Sequence, residues 1–365
     1  MPEPIKNLFN FQVTKNLAEA VHTCHPEFDR SAFLEGVFND QWDLLELKER
    51  MHHITRCLHS HMPQDYPKAI DILDRSAARL EKHGFMDMVF SDYVAMYGLH
   101  DWDTSLPALE TFTQYVSAEL AVRHFILQDQ ERMLAQMLKW ADHPNHHVRR
   151  LATEGCRPRL PWALAIPALK KDPTPILPIL EKLRNDPNDN IRHCVANNLN
   201  DISRDNPRVT LKVLQNWQDK DIKGFSYMLN QALRTLVKQG HPKALELLGF
   251  SSDPSIQVGN LILGTNSLPI GENLTFKFEV TSTADHSQWL TIDYIVHHLR
   301  AKGQLIPKVF KLKKKEILPG ETLQINKKHG FQKVTTRRYY PGKHKIEVQI
   351  NGKVFLSKEF YLKEF

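Results

Sequence analysis

His143-Pro-Asn-His-His-Val-Arg-Arg-Leu-Ala-Thr-Glu154 and Asp186-Pro-Asn-Asp-Asn-Ile-Arg-His-Cys-Val-Ala-Asn197 align at a shift of 43 residues. In both, a Pro-Asn turn leads into Val148-Arg149-Arg150 or Ile191-Arg192-His193, and Ala152 falls over Val195. A weaker third copy begins at Trp217-Gln-Asp-Lys-Asp and continues into Ala232-Leu-Arg-Thr-Leu. A period in the low forties, with an Asp/Asn turn before a Val/Ile-Arg helix start, is the pattern of HEAT-like helix pairs. Each pair buries one face against its neighbours, and such a stack offers an extended concave surface. An irregular helical bundle is the alternative, and before residue 140 the copies are too diverged to count.

Outward from the repeat, residues from about Asn16 to Phe250 read as helical nearly throughout. Leu106, Leu109, Phe112, Val116 and Leu120 recur at three- and four-residue steps. His61-Met-Pro-Gln-Asp, Asp142-His-Pro-Asn, Asn185-Asp-Pro-Asn and Gly240-His-Pro cut the helices. Around Gln257 the period changes to two, as in Leu274-Thr-Phe-Lys-Phe-Glu-Val, Leu290-Thr-Ile-Asp-Tyr-Ile-Val and Lys345-Ile-Glu-Val-Gln-Ile. Roughly seven short strands between Gly- and Pro-bearing turns predict an immunoglobulin-like sandwich. The expected organisation is a HEAT-like helical domain over 1–255 and a β-sandwich over 256–365.

The net charge of +6 is unevenly spread. From Gln257 onward there are 18 Lys and Arg against 9 Asp and Glu, whereas the preceding 256 residues carry 30 against 33. A basic C-terminal third suits a polyanion such as nucleic acid, or an anionic membrane surface; solubility alone is the plainer account. No apolar run is long enough to span a bilayer. Met1-Pro-Glu-Pro-Ile-Lys lacks the features of a secretory signal, so a cytoplasmic protein is expected. Cys24, Cys57, Cys156 and Cys194 are scattered and read as reduced, mostly buried thiols.

Chemistry-bearing residues are densest in Thr153-Glu-Gly-Cys-Arg-Pro-Arg-Leu-Pro-Trp162. Gly155 and Pro158 break a repeat helix there and crowd Glu154, Arg157, Arg159 and Trp162 around its end. An exposed Trp in that company suits a cationic ring or a sugar face. A core Trp162 with solvated arginines is the competing account. Asp201 lies four residues after Asn197 on one helical face, and Asn197 matches Glu154 under the repeat shift. A stack therefore brings Glu154, Asn197 and Asp201 to one wall. Glu119 is expected in a helical run from Tyr115, beside its buried edge. Any one of these carboxylates alone would pass for a solvated or salt-bridged side chain.

Arg149, Arg150 and Arg192 stand at equivalent helix starts, with Lys170 and Lys171 one helix later. Cations at one phase line a groove of the kind phosphates need, or else a solvated face. The histidines (His52-His53, His59, His61, His143, His146-His147, His297-His298) lack metal-ligand spacing and read as surface or cap residues. No P-loop, dinucleotide fingerprint or nucleophile elbow is present, so neither cofactor nor metal is expected.

Ser117-Ala-Glu-Leu-Ala-Val-Arg, His147-Val-Arg-Arg-Leu-Ala-Thr-Glu-Gly-Cys-Arg-Pro-Arg-Leu-Pro-Trp162 and Val195-Ala-Asn-Asn-Leu-Asn-Asp-Ile-Ser-Arg-Asp-Asn-Pro207 resemble the AlkC branch of the AlkC/AlkD HEAT-like DNA glycosylases. Thr335-Thr-Arg-Arg-Tyr-Tyr-Pro-Gly resembles the immunoglobulin-like domain of one AlkC subgroup, adding Arg337 and Arg338 to Arg149, Arg150, Arg157, Arg159, Arg192, Lys170 and Lys171 as candidate DNA contacts. The resemblance implies base excision repair: hydrolysis of the N-glycosidic bond of cationic 3-methyladenine, 3-methylcytosine and 1-methyladenine in double-stranded DNA. It places the catalytic carboxylates on Glu119, Glu154 and Asp201 and the aromatic residue on Trp162. It further implies a bent duplex with the lesion still stacked, in place of base flipping. A monomer is expected. The rival readings are a non-catalytic nucleic-acid-binding scaffold and a protein-interaction solenoid.

Overall fold

The computed structural model describes residues 3–80, 84–332 and 337–364. Thr335 and Thr336 of the motif quoted above, and Met1 and Pro2, lie outside the described residues. Helices run from Phe11–Cys24 to Pro242–Leu247, and strands begin at Ile256. By its contacts the chain divides into two compact units, Met1–Asn206 with Lys220–Gln231, and Pro207–Asp219 with Ala232–Phe365. The change from helix to strand thus falls inside the second unit. Among the described residues no helix is long and apolar enough to cross a membrane.

The repeat is visible atom by atom. Asn145 caps helix His146–Gly155 by accepting from the His147 amide at 2.8 Å. Asn188, its counterpart, caps Asp189–Asp205 by accepting from the Asn190 amide at 2.9 Å. Each cap satisfies an N–H that the first helical turn leaves orphaned. Val148, Leu151 and Ala152 of one helix and Ile191, Cys194 and Val195 of the other occupy matching, fully or nearly fully buried positions, and the two helices pack on each other. The Asn198 amide ties them, donating to the Thr153 carbonyl at 2.9 Å. Gly155 is required by the packing: a Cβ there would stand 2.5 Å from Val122 Cγ2 and 2.7 Å from Met137 Cε.

The helix expected through Glu119 is absent. Trp102–Phe112 ends at its Thr113 cap and the next helix starts at Val122, so Glu119 sits in a turn between them. Val116 and Leu120 continue the apolar spacing in sequence but belong to that connection, because the stripe outlasts the helix.

Among the described residues the sandwich has nine strands where about seven were expected; the surplus comes from very short pieces. β1 (Ile256–Val258), β2 (Ile262–Leu263) and β7 (Thr322–Gly330) all pair antiparallel with β4 (Asn273–Ser282). The other sheet runs β3 (Ser267–Pro269), β9 (Lys353–Lys363), β8 (Gly342–Ile350), β5 (Gln288–Leu299), β6 (Leu305–Ile317). Alternation along β4 sends Leu274, Phe276, Phe278 and Val280 inward to meet Ile292, Tyr294, Val296, Ile346 and Val348. Helical chain belongs to this unit too: Gln349 donates to the Lys238 carbonyl, and Gly240 and Gly352, both at positive φ, approach too closely to admit a Cβ on either.

His298 departs from the expected surface role, and two further histidines share its setting. His298, His329 and His344 are buried in the sandwich core around Phe331. Their β5, β7 and β8 positions face inward, where an imidazole packs as a flat ring once it gives up its charge. Burial holds His298 down to about 3 and His329 to about 4.

Candidate functional site

Helix His146–Gly155 ends where the sequence places Gly155 and Pro158, and the following loop turns Arg157 back against the helix end. The Arg157 guanidinium donates through Nη1 to Glu154 Oε2 at 3.0 Å and through Nε to Asp201 Oδ2 at 2.9 Å. All three side chains are nearly inaccessible, at 9%, 7% and 5% exposed. Desolvation weighs against the Arg157 charge, but the two carboxylates outweigh it and raise its pKa above the usual arginine value. The guanidinium thus gathers two acids from neighbouring repeats and compensates their charge. Glu154 Oε1 is buried with no hydrogen-bond partner among the described residues, so one lone-pair edge of the acid pair stays uncommitted.

Arg123 holds the loop beyond. Fully buried, it donates to the carbonyls of Gly155 at 2.9 Å, Arg157 at 2.7 Å and Leu164 at 2.5 Å. Burial lowers its pKa to about 10. The loop carries Trp162, which is 59% exposed and has φ 63°, a left-handed conformation that costs a bulky residue on the order of 1–3 kcal/mol. Lys48 Nζ donates to its carbonyl at 3.0 Å. Such strain is sustained only where the surrounding bonds over-determine the backbone, as the Arg123 and Lys48 bonds do here.

Glu119 is brought to Arg150, not to the acid pair itself. Its Oε2 accepts from Arg150 Nη2 at 3.0 Å and from Ser117 Oγ at 2.8 Å. Both partners are partly open, Arg150 at 34% and Glu119 at 22%.

The other candidate cations divide by what they touch. Arg149 forms a two-point pair with Asp186 at 2.6 and 3.1 Å and donates to the His143 and Pro144 carbonyls. Arg192, at the same repeat phase, donates to the Asp186 carbonyl and pairs with Asp189. In place of a groove of repeated cations, Arg149 ties its turn to the Asp of the next repeat and Arg192 braces its own turn, because an Asp lies within reach of each. Arg157 is likewise turned inward on its acids. Arg159 pairs with Asp205 at 2.6 and 2.8 Å and remains 35% exposed. Lys170 is half-buried and Lys171 exposed, both in the last turn of Pro167–Lys171. In the sandwich, Arg337 donates to His298 Nε2 at 2.7 Å, while Arg338 is exposed with its guanidinium 5.5 Å from the Tyr340 ring.

Sequence reasoning missed Arg123 as a loop anchor and the pair His52–Asp92. An arginine inside the apolar run Ala118–Leu127 was the available signal for the first, since such a residue must be buried with partners. The second joins residues 40 positions apart, and nothing local announces it.

Adjoining helical repeats thus bring two acids to one guanidinium, and the chain continues into a basic immunoglobulin-like sandwich. The family model described as DNA alkylation repair enzyme matches residues 52–236, and that of the YhaZ C-terminal Ig-like domain matches 257–364. The chain belongs to the DNA alkylation repair enzyme family, the AlkC/AlkD family of alkylated-base DNA glycosylases, and carries the C-terminal Ig-like domain. It is 42% identical over 356 residues to "Uncharacterized protein YhaZ" of Bacillus subtilis (strain 168), covering 98% of each chain. It is also similar, at 35% identity and TM-score 0.93, to the Pseudomonas fluorescens alkylpurine DNA glycosylase AlkC bound to DNA containing an abasic site analog, covering 99% of this chain and 100% of that one.

Proposed function

We propose that the chain excises cationic N-alkylated bases from double-stranded DNA, with 3-methyladenine, 3-methylcytosine and 1-methyladenine as substrates. The observation that carries the reading is the pair of bonds from Arg157 to Glu154 and Asp201, on the loop that also presents Trp162. A methylated base of this kind already bears positive charge and leaves without a general acid. What the protein must supply is negative charge beside an oxocarbenium-like sugar and a positioned water, the task carboxylates perform in glycosidases. Glu154 and Asp201 take these roles. Glu119, held by Arg150, supports the sugar or the water, and Trp162 packs on the lesion's deoxyribose. Because these groups act on the sugar, the base stays in the stack and no flipping pocket is required. Arg150, Arg159, Lys170, Lys171 and Arg338 supply backbone contacts. The functional division runs 1–255 for excision and 256–365 for clamping DNA, in a monomer acting in the cytoplasm.

The test is single-turnover release of base from a duplex holding one 3-methylcytosine or 3-methyladenine. Asp201→Asn and Glu154→Gln keep an acceptor for Arg157 but remove the charge. By analogy with loss of one oxyanion donor, each lowers the rate about 10²- to 10³-fold. No release by the wild type, with duplex binding intact, would leave a non-catalytic scaffold as the better reading.

A further inference from the structure

The open face of Trp162 borders a cleft of about 100 Å³ that the chemistry above does not use. Its polar wall comes from helix Leu47–Ser60, which places Lys48 and His52 one turn apart on a single face. Met51, Met88, Ala95 and Leu120 are among its apolar lining. His52 Nδ1 lies 2.9 and 3.0 Å from the two oxygens of Asp92, which is only 6% exposed. Thr55 Oγ1 donates to the same carboxylate at 2.6 Å. A carboxylate can only accept, so His52 Nδ1 carries the proton and Nε2 is turned away from Asp92. Among the described residues no hydrogen bond engages Nε2, and the side chain is 38% exposed. The neighbouring Lys48 spends one N–H on the Trp162 carbonyl and keeps two others.

A histidine backed by a buried carboxylate, beside a lysine and at the edge of an exposed indole, is arranged for an anionic oxygen. We infer that Lys48 and His52, the latter oriented by Asp92, bind one backbone phosphodiester next to the deoxyribose that Trp162 covers. The inference rests on the glycosylase reading for the place of that sugar. Lys48 then links two tasks, fixing the strained Trp162 backbone and contacting the phosphate beside it. For His52 to donate, Nε2 must take up a proton as DNA binds, with the anion and Asp92 on either side of the ring. The charged and titratable groups that line the cleft with it are Lys48 on its own helix, Asp92 on Met88–Tyr97 and His124 on Val122–Gln128. Burial lowers the pKa of His124.

The experiment is a fluorescence-anisotropy titration of the full chain with duplex DNA containing an abasic-site analogue, over a salt series at two pH values. Each phosphate neutralised contributes about 0.9 to the slope of log affinity against log salt. Lys48 and His52 share one phosphate, so His52→Gln is expected to flatten that slope by part of this amount at the lower pH and to weaken binding roughly tenfold, as loss of a charged hydrogen bond does. It is also expected to remove the decline in wild-type affinity between the lower and the higher pH. Lys48→Met flattens the slope at both pH values, and Lys48→Arg restores it. A variant that merely loosened the fold would weaken binding without changing either dependence. Base release from an alkylated duplex is scored in parallel. Release with a salt slope unmoved in both His52→Gln and Lys48→Met overturns the phosphate site and leaves the glycosylase. Absence of release, with the slopes altered as expected, overturns the glycosylase and supports the phosphate site.

Discussion

The helical unit and the sandwich both bury ionisable side chains, and they treat them in opposite ways. Around Arg157, two acids meet one guanidinium, and each carboxylate oxygen facing it is hydrogen-bonded to it. In the sandwich, Asp293, His298 and His329 are as deeply buried, yet Asp293 Oδ1, His298 Nδ1 and His329 Nε2 have no hydrogen-bond partner among the described residues. There desolvation dominates, raising Asp293 to about 6 and lowering the two histidines to about 3 and 4, so each is drawn toward its neutral form. The first arrangement fails when a partner is removed; the second responds to pH.

The largest effect should come from breaking the paired arrangement. Arg157→Met leaves Glu154 and Asp201 buried without their counter-ion, a situation that costs about 3–5 kcal/mol. The half-open Arg159–Asp205 pair is the control: Arg159→Met should cost less than about 1 kcal/mol, since solvent already screens it. Urea unfolding of the two variants measures the contrast. Equal losses would mean that Arg157 compensates no buried charge.

Next in size is the acid held against its preference. The folded pKa of Asp293, at about 6, lies above its unfolded value of 3.8. Between those values the native state binds the proton and the unfolded state does not, so stability falls as pH rises through the window. Asp293→Asn removes that liability, and at pH 8 it should stabilise the protein by about 3 kcal/mol, fading to nothing below the unfolded value. Thermal unfolding at the two extremes reads it. A gain independent of pH would point to a packing effect of the amide instead.

The same contrast explains what the chain made legible. The repeat was readable because its caps and apolar positions recur at one spacing, and local chemistry dictates both. Glu154, Arg157 and Trp162 stood out because they crowd one broken helix end, and Asp201 because the repeat shift brings it to the same wall. The direction in which Arg149 and Arg192 point was not legible, because a cation at a helix start looks the same whether it meets phosphate or an Asp of a repeat turn. The Glu119 turn was obscured by an apolar stripe that outlasts its helix. Least visible were the buried histidines: whether an imidazole on a strand faces water or core depends on sheet register, which pairs residues far apart in sequence.

The smallest expected effect tests the sandwich from its acid side. His329 has a folded pKa of about 4, below its unfolded 6.5. Its contribution is therefore fully present above the unfolded value and is lost as pH falls toward the folded one, because only the unfolded state takes up the proton in that window. His329→Gln keeps an acceptor for the Tyr294 hydroxyl, now 2.9 Å from Nδ1, but cannot be protonated. Its absolute stability will differ from the wild type's for reasons of packing, so the diagnostic quantity is the slope against pH. Between neutrality and about pH 5.5 the variant should lose about 1 kcal/mol less than the wild type. Wild-type and variant curves that fall in parallel would mean that His329 titrates alike in both states, and that burial in this core does not hold its ring neutral.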